Sequence, residues 1–473
     1  MPIVQTIKYN SENNYFAGFL QNTINKSGIL GSVEQKDNEI ILKLDNSDEE
    51  SLNEFNSLAK YIPHSIFMGE IETSESDEKI APSDFKSKDY NISPCAKCIE
   101  LVNDPSSEHY LDESLICNHY SNDAVESYSD HTIFSPHYSD DCTLLVTDSN
   151  KLSDLFIITE DEAKVLFSIE KPTIKVTIKD ETLKELVGDK FINIRSPYNI
   201  KSMLASINAK ESGISYLFFY PQHDLDVVLV QNNTSIIKSS RVAKELESLE
   251  EDGVLNRFLN IKKEAGFQGK QAFEKSAIAS YLSTSGIEFI VSNEVGTKKV
   301  IKFGDFNLKK VIEGFKSNEK RARLFENLKS KYPQVAETLE TKDLDLFESV
   351  ATILEIENKT FEGVCNKGYE FRGNGGLKID TNFNEDGFDY EAFIGSLISF
   401  KLADVDMPYL AYSMFEAIGD LSITVMSQLK TKFKIENFII MGDMLANSVI
   451  YSRILSKFQL NNPYFSKSFA LDD

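Results

Sequence analysis

Two periodicities alternate along the chain. Between residues 2 and 72, apolar positions recur every second residue in "IVQTIKY", "ILGSVEQ", "EIILKL" and "IFMGEIE", and three and four apart in "YFAGFLQNTINKSG" and "DEESLNEFNSLAKYI". The first spacing puts alternate side chains on one sheet face; the second builds a stripe along a helix. The order predicts a split βαββαβ unit, the ferredoxin-like plan. Residues 73–94 are polar and rich in Ser, Asp and Lys, and read as a linker. Aliphatic residues stay scarce to about residue 150. Alternation then returns in "LFIITEDEAKVLF", "PTIKVTI", "FINIRSPYN", "ISYLFFY" and "DLDVVLV", predicting a second α/β domain that ends near residue 242. The charged stretch "VAKELESLEEDGVLNRFLNIKKEAG" predicts a helix leading into a mostly helical last part. There "KIENFIIMGDMLANSVIYSRILSKF" reads as a buried strand, a tight turn and a helix, a unit whose ligands collect at the strand's carboxyl end.

Length adds that one core cannot serve: 473 residues call for several domains, and 41% hydrophobic residues with 32 Phe and 19 Tyr can fill them. A formal net charge of −24 argues against nucleic acid or an anionic membrane as partner, because both need clustered cations. No stretch of eighteen apolar residues occurs and "MPIVQTIKYN" lacks a leader pattern, so the expectation is a cytoplasmic protein with no membrane span. Five cysteines do not make a disulfide framework.

Three of those cysteines lie in "SPCAKCIELVNDPSSEHYLDESLICNHY", residues 93–120. Cys95 and Cys98 form a CxxC knuckle, and Cys117 follows after eighteen residues, but Tyr120 stands where a second knuckle would close, with His119 beside it. Three thiolates and an imidazole suffice for tetrahedral zinc, so Cys95, Cys98, Cys117 and His119 are the candidate ligands of one zinc ion. His119 is one residue out of register, however, which favours a relic packed without metal. Other chemistry is sparse: the sequence holds no GxSxG and no HExxH, and "RGNGGLKID" lacks the Lys-Ser/Thr of a phosphate loop and reads as a hairpin turn.

The order of parts, the CxxC-x18-C region, the "SPYN" turn (Ser196 to Asn199) and the terminal "GDMLAN" turn together resemble the HypF family, carbamoyltransferases that help make the cyanide ligands of nickel-iron hydrogenases. The resemblance covers most of the chain. It implies an α+β multidomain fold: an acylphosphatase-like ferredoxin-like domain at 1–75, a degenerate zinc-module region at 90–145, a truncated YrdC-like α/β domain at 150–242, and an actin-like (ASKHA) α/β domain at 243–473 related to the threonylcarbamoyl transferase TsaD.

Many family motifs are broken. Where the acylphosphatase segment carries its phosphate-binding Arg and its Asn, this chain has Ala17 and Gln35. Asn232 and Asn233 replace paired aspartates, and the segment that holds the carbamoyl donor has no room before Phe156, which leaves Arg195 and His223 as the polar groups of a surviving pocket. In the actin-like part the metal-binding histidines are absent, and Glu416 stands at one of their positions. The matches that remain to the nucleotide site are Gly442, Asn447, Glu362 and Gly363, with Asp443 where the family has a second phosphate-turn glycine, placing a negative charge against phosphate. Two functions follow from the resemblance. One is a non-catalytic pseudoenzyme that acts as partner or scaffold in hydrogenase maturation, binding HypE or another maturation protein. The other is an active carbamoyltransferase using carbamoyl phosphate and ATP.

Overall fold

A computed structural model describes residues 2–36, 38–62, 64–83, 85, 95–113, 115, 132–139, 142–220, 227–231, 234–240, 242–267, 272–384 and 387–471. Cys117, His119, His223, Asn232 and Asn233 lie outside them. The chain divides into two units, one of residues up to Glu245 together with Lys467–Leu471, the other Leu246–Ser466.

In the first unit, β1 (Ile3–Tyr9), β2 (Gly31–Lys36), β3 (Glu39–Leu44) and β4 (Met68–Glu75) form an antiparallel sheet in the order β2-β3-β1-β4, with helices Tyr15–Ser27 and Glu49–Ala59 as connections. This is the strand order of the split βαββαβ plan. The first helix stops at Gly28, which takes the left-handed cap conformation (φ 69°). Asp48 starts the second by accepting from the Glu50 and Ser51 amides. Tyr9, Tyr15, Phe16, Phe19 and Phe67 fill the core, and Cys95, Cys98, Ile169, Ile237 and Ala470 join the same cluster.

A second sheet in this unit contains β5 (Phe134–Ser135), β6 (Thr143–Val146), β7 (Phe156–Ile157), β8 (Ile174–Ile178), β9 (Phe191–Arg195) and β10 (Tyr216–Phe219) in the order β5-β10-β6-β9-β8-β7. Only β6 and β9 pair in parallel. β6 departs from the sequence reading: "TLLV", taken with the cysteine-rich stretch, is a central strand with all four residues buried. Its apolar run is continuous because both faces are covered. A hairpin of β11 (Val227–Gln231) and β12 (Thr234–Ser239) adds a small sheet. Buried Glu170 ties the βαββαβ part to this one by accepting from the Tyr15 and Ser65 hydroxyls and, at 3.0 Å, from the Ile66 amide.

The second unit has one four-stranded sheet of β13 (Ala277–Ser283), β14 (Gly286–Asn293), β15 (Gly296–Lys302) and β18 (Phe438–Met441), ordered β15-β14-β13-β18, with β13 and β18 parallel. The short pair β16 (Phe383–Asn384) and β17 (Gly387–Phe388) lies outside it, and helices make up the rest. The acidic stretch 244–252, expected to be helical, is not: the helix starts at Gly253. Asn256 Oδ1 accepts from the Leu249 and Glu250 amides and Asn260 Oδ1 from the Glu247 amide, an alternative to helical bonding for a segment whose carboxylates repel one another. Among the described residues no helix is long and apolar enough to cross a membrane.

Candidate functional site

The turn after β18 is built around Gly442, at φ 111°, where a Cβ would sit 2.2 Å from the Leu282 carbonyl oxygen. No side chain fits there. The next residue, Asp443, turns its carboxylate onto the β13–β14 turn: Oδ1 accepts the Thr284 amide at 2.8 Å and Oδ2 accepts the Thr284 hydroxyl. Ser283 Oγ accepts the Ser285 amide at 3.2 Å, so two successive amides of that turn are held by side chains.

The helix Ser448–Phe458 opens immediately afterwards, and the first amides of a helix are ready donors for an anion. Here they are occupied. Asn447 Oδ1 accepts from Val449 and Ile450 at 2.9 and 3.1 Å, and the Tyr369 hydroxyl accepts from Ser448 at 3.0 Å. Asn447 is fully buried and donates its amide to Cys365 Sγ at 3.0 Å. Burial pushes the Tyr369 phenol well above its usual range, so it stays protonated.

Cys365 and Tyr369 were not singled out in the sequence. They lie four residues apart on the helix Phe361–Tyr369, a spacing that puts both on one face. Glu362 and Gly363 belong to the first turn of the same helix but serve elsewhere. Glu362 is exposed. Gly363 donates its amide to the Thr360 hydroxyl at 3.1 Å, and a Cβ on it would meet the Asn358 carbonyl oxygen at 2.0 Å. Of the four expected nucleotide residues, the structure brings Gly442 and Asn447 to one turn.

Glu416, on the long helix Met407–Phe433, is buried and pairs with Arg453 at 2.7 Å while accepting the Gly376 amide at 2.6 Å. Asp420 completes the group with two 2.7 Å bonds to Arg453. The loop "RGNGG" is therefore fastened to this helix through Gly376, and through the Leu377 amide to Ser413 Oγ at 2.9 Å. It is not the hairpin read from the sequence; the nearest hairpin is β16–β17. Beside the β13–β14 turn lies a cavity of about 280 Å³, lined by Thr284, Phe303, Asp305, Phe306, Asp345, Phe388, Tyr390, Phe393 and Met444 among others.

In the first unit, a cavity of about 480 Å³ sits at the carboxyl ends of the parallel strands β6 and β9, with Thr147, Ser149, Ser196 and Pro197 on its wall and Ile99 and Asn103 contributed by the helix Ala96–Asn103. Carboxyl ends of parallel strands are where ligands gather in such sheets. Arg195 is not on the wall: it is buried, its Nε donates to the Lys171 carbonyl at 2.7 Å, and its guanidinium stacks on Tyr198 at 4.0 Å. Glu211 and Lys210, the latter paired with Asp148 at 3.1 Å, line the cavity, and so does Lys171. Its backbone is left-handed (φ 46°), its ammonium donates to the Phe167 carbonyl at 3.0 Å, and burial lowers its pKa to about 8.

At the positions matched to the acylphosphatase site, Ala17 is fully buried. The Gln35 amide donates to the Ser11 and Asn13 carbonyls at 3.0 and 3.1 Å, so carbonyl oxygens, which repel an anion, face it. Cys95 and Cys98 are buried with their sulfurs 3.7 Å apart, and Cys95 Sγ caps the helix Ala96–Asn103 by accepting the Cys98 amide. That gap is too wide for a disulfide, whereas sulfurs about 2.3 Å from a tetrahedral zinc lie about 3.8 Å apart. Two corners of a zinc site thus fit. Among the described residues no group of three or more metal-binding side chains gathers.

No protein-family model matches the chain, and no curated protein matches it. Solved structures do. The crystal structure of T. kodakarensis HypF superposes with a TM-score of 0.57 at 10% identity, over 99% of this chain and 96% of that one. Full-length HypF in a phosphate- and nucleotide-bound form gives 0.56 at 11% identity over the same shares. The likeness is one of fold, spans the described molecule end to end, and agrees with the resemblance seen in the motifs.

Proposed function

We propose that this chain is a HypF-like protein linked to hydrogenase maturation in which nucleotide and carbamoyl-phosphate chemistry has been given up, leaving a partner or scaffold. The observation that carries this reading is the Asp443 carboxylate on the amide and hydroxyl of Thr284. A phosphate turn works by leaving backbone donors open to an anion. Here an anionic side chain of the protein takes that role, and Asn447 and Tyr369 hold the helix amides next to it. A nucleotide would have to displace one negative charge and break several buried hydrogen bonds. Ala17 and Gln35 support the same reading in the βαββαβ part, since neither offers the fixed cation that a carboxyl phosphate requires.

A second reading, a carbamoyltransferase working through the first unit, is favoured by the cavity lined by Lys171. Its hydroxyl groups and two lysines suit a small anion, and Glu211 on the same wall opposes one. Zinc, where bound, would be gripped by Cys95 and Cys98 with ligands outside the described residues and would act as a staple for a stretch poor in aliphatic side chains.

Calorimetric titration with Mg-ATP and with carbamoyl phosphate separates the two functions. No heat is expected from either. Micromolar binding with carbamoyl-adenylate formed in the presence of both would overturn the first reading and establish the second. A pull-down from the source cell that recovers HypE or another maturation protein is the positive outcome for a scaffold; metal analysis of the same sample separates a zinc site, at about one zinc per chain, from a relic, at none.

A further inference from the structure

The cavity beside the β13–β14 turn combines two properties that select a ligand. Its wall is aromatic: Phe303 and Phe388 stack at 4.6 Å, and Tyr390 meets Phe388 edge-on at 5.0 Å, with Phe393 behind at 5.6 Å from Phe388. Its charge has one sign, because Asp305 and Asp345 line it and no Lys or Arg does. Both acids are exposed; Asp345 spends one oxygen on the Glu348 amide as a helix cap. A phosphate or carboxylate entering would meet two like charges and no cation. A neutral apolar molecule would use the rings alone, leaving the exposed carboxylates of Asp305 and Asp345 in water. An organic cation satisfies both, its apolar body against the phenyl rings and its charged head toward the acids, since aromatic rings and carboxylates each attract positive charge.

We infer that this cavity is a binding site for a small organic cation, an aryl- or alkylammonium compound with a body the size of one ring. At about 280 Å³ it lies just below the range of small-molecule pockets, about 300–1,000 Å³. Tyr390 keeps its phenol proton, with a pKa raised to about 12 by burial and the nearby Asp305 charge, and donates to the Gly304 carbonyl at 3.1 Å, which fixes that wall. The site rests in part on the reading that the adjoining turn no longer takes phosphate, since Thr284 and Met444 contribute to both.

The test uses the full chain and three probes of one shape: phenethylamine, 2-phenylethanol and 3-phenylpropanoate, titrated calorimetrically at low salt. The amine is expected to bind about tenfold more tightly than the alcohol, and the acid not at all. The double variant Asp305→Asn with Asp345→Asn should erase the preference for the amine while leaving the melting temperature within about 2 °C, because Asn also caps helices. Equal binding of amine and alcohol, no binding of the amine, or a preference that survives the double variant overturns the proposal. Mg-ATP added to the amine complex tells the two readings apart: displacement of the amine by ATP defeats the loss of nucleotide binding as well, whereas failure of the amine with ATP still silent defeats the cation site alone.

Discussion

Two places in this molecule share an architecture and have opposite chemistry. Each lies where a parallel strand ends and the chain turns toward a helix: β18 into Ser448–Phe458 in one unit, β9 through "SPYN" into Ile200–Glu211 in the other. At the first, hydrogen-bond donors are consumed by Asp443, Asn447 and Tyr369, and the charged groups nearby are acids. At the second, a cavity remains, with Lys171, Lys210 and Glu211 on its wall. One turn has become part of the folding framework; the other keeps a shape and charge that can serve a ligand. Fold likeness alone would have assigned both the same role.

If the β18 turn is framework, damage to it should be costly without any ligand present. Gly442→Ala combines a left-handed backbone with a Cβ driven against the Leu282 carbonyl, and should lower stability by about 3–4 kcal/mol. Ser196→Ala in the open cavity loses one hydrogen bond, from its hydroxyl to the Leu166 carbonyl, and should lose only about 1 kcal/mol. Urea unfolding of both variants checks the contrast, which fails if the two losses are alike.

Lys171 sharpens the comparison from the other side. Its folded pKa of about 8 lies below the ordinary lysine value of 10.5. Between those values the unfolded chain binds more protons than the folded one, so stability rises with pH across that window, and below pH 8 the full penalty of a buried charge, about 3 kcal/mol, is present. Lys171→Met removes the charge and one hydrogen bond. It should stabilise the protein by roughly 2 kcal/mol at pH 7, a gain that vanishes near pH 10.5. A gain independent of pH would mean that Lys171 is well solvated.

How much of this could be read in the sequence follows from range. Period-two and helical spacing located the strands of the βαββαβ part, where each element declares itself within a few residues. "TLLV" shows no period because only three apolar residues stand between polar stretches. The stretch 244–252 was mistaken for helix because its competitor, the Asn256 and Asn260 side chains, acts from the following helix. Gly442 stood out as a turn glycine. That Asp443 would answer Thr284, 159 residues earlier in the chain, was invisible, although its charge already argued against phosphate. Arg195 looked like a pocket residue on residue type alone. The structure spends it on the Lys171 carbonyl and leaves the neighbouring lysine lining the cavity, a choice made by backbone conformation that no local spacing encodes.

Asn447 measures the framework reading at intermediate strength. Asn447→Ala leaves the Val449 and Ile450 amides without their acceptor in a buried site and should cost about 2 kcal/mol, whereas Asn447→Ser retains a cap and should recover about half of that, read again by urea unfolding.

The smallest effect on stability is the most telling for function. Asp443→Gly restores the glycine of the family turn and releases the Thr284 amide and hydroxyl, removing two partly exposed hydrogen bonds at a cost of about 1 kcal/mol. Were the carboxylate the sole obstacle, this one change would open the turn and Mg-ATP would bind. The Ser448, Val449 and Ile450 amides nevertheless remain held by the Tyr369 phenol and the Asn447 side chain, so the expected result is a folded variant that still gives no heat with ATP. Binding by Asp443→Gly alone would show that a single charge keeps Mg-ATP out of the turn. Silence that persists until Tyr369→Phe is added would place the barrier in the helix amides. In either case the β18 turn would move closer in kind to the cavity at β9, and the contrast between them would be one of a few side chains, not of architecture.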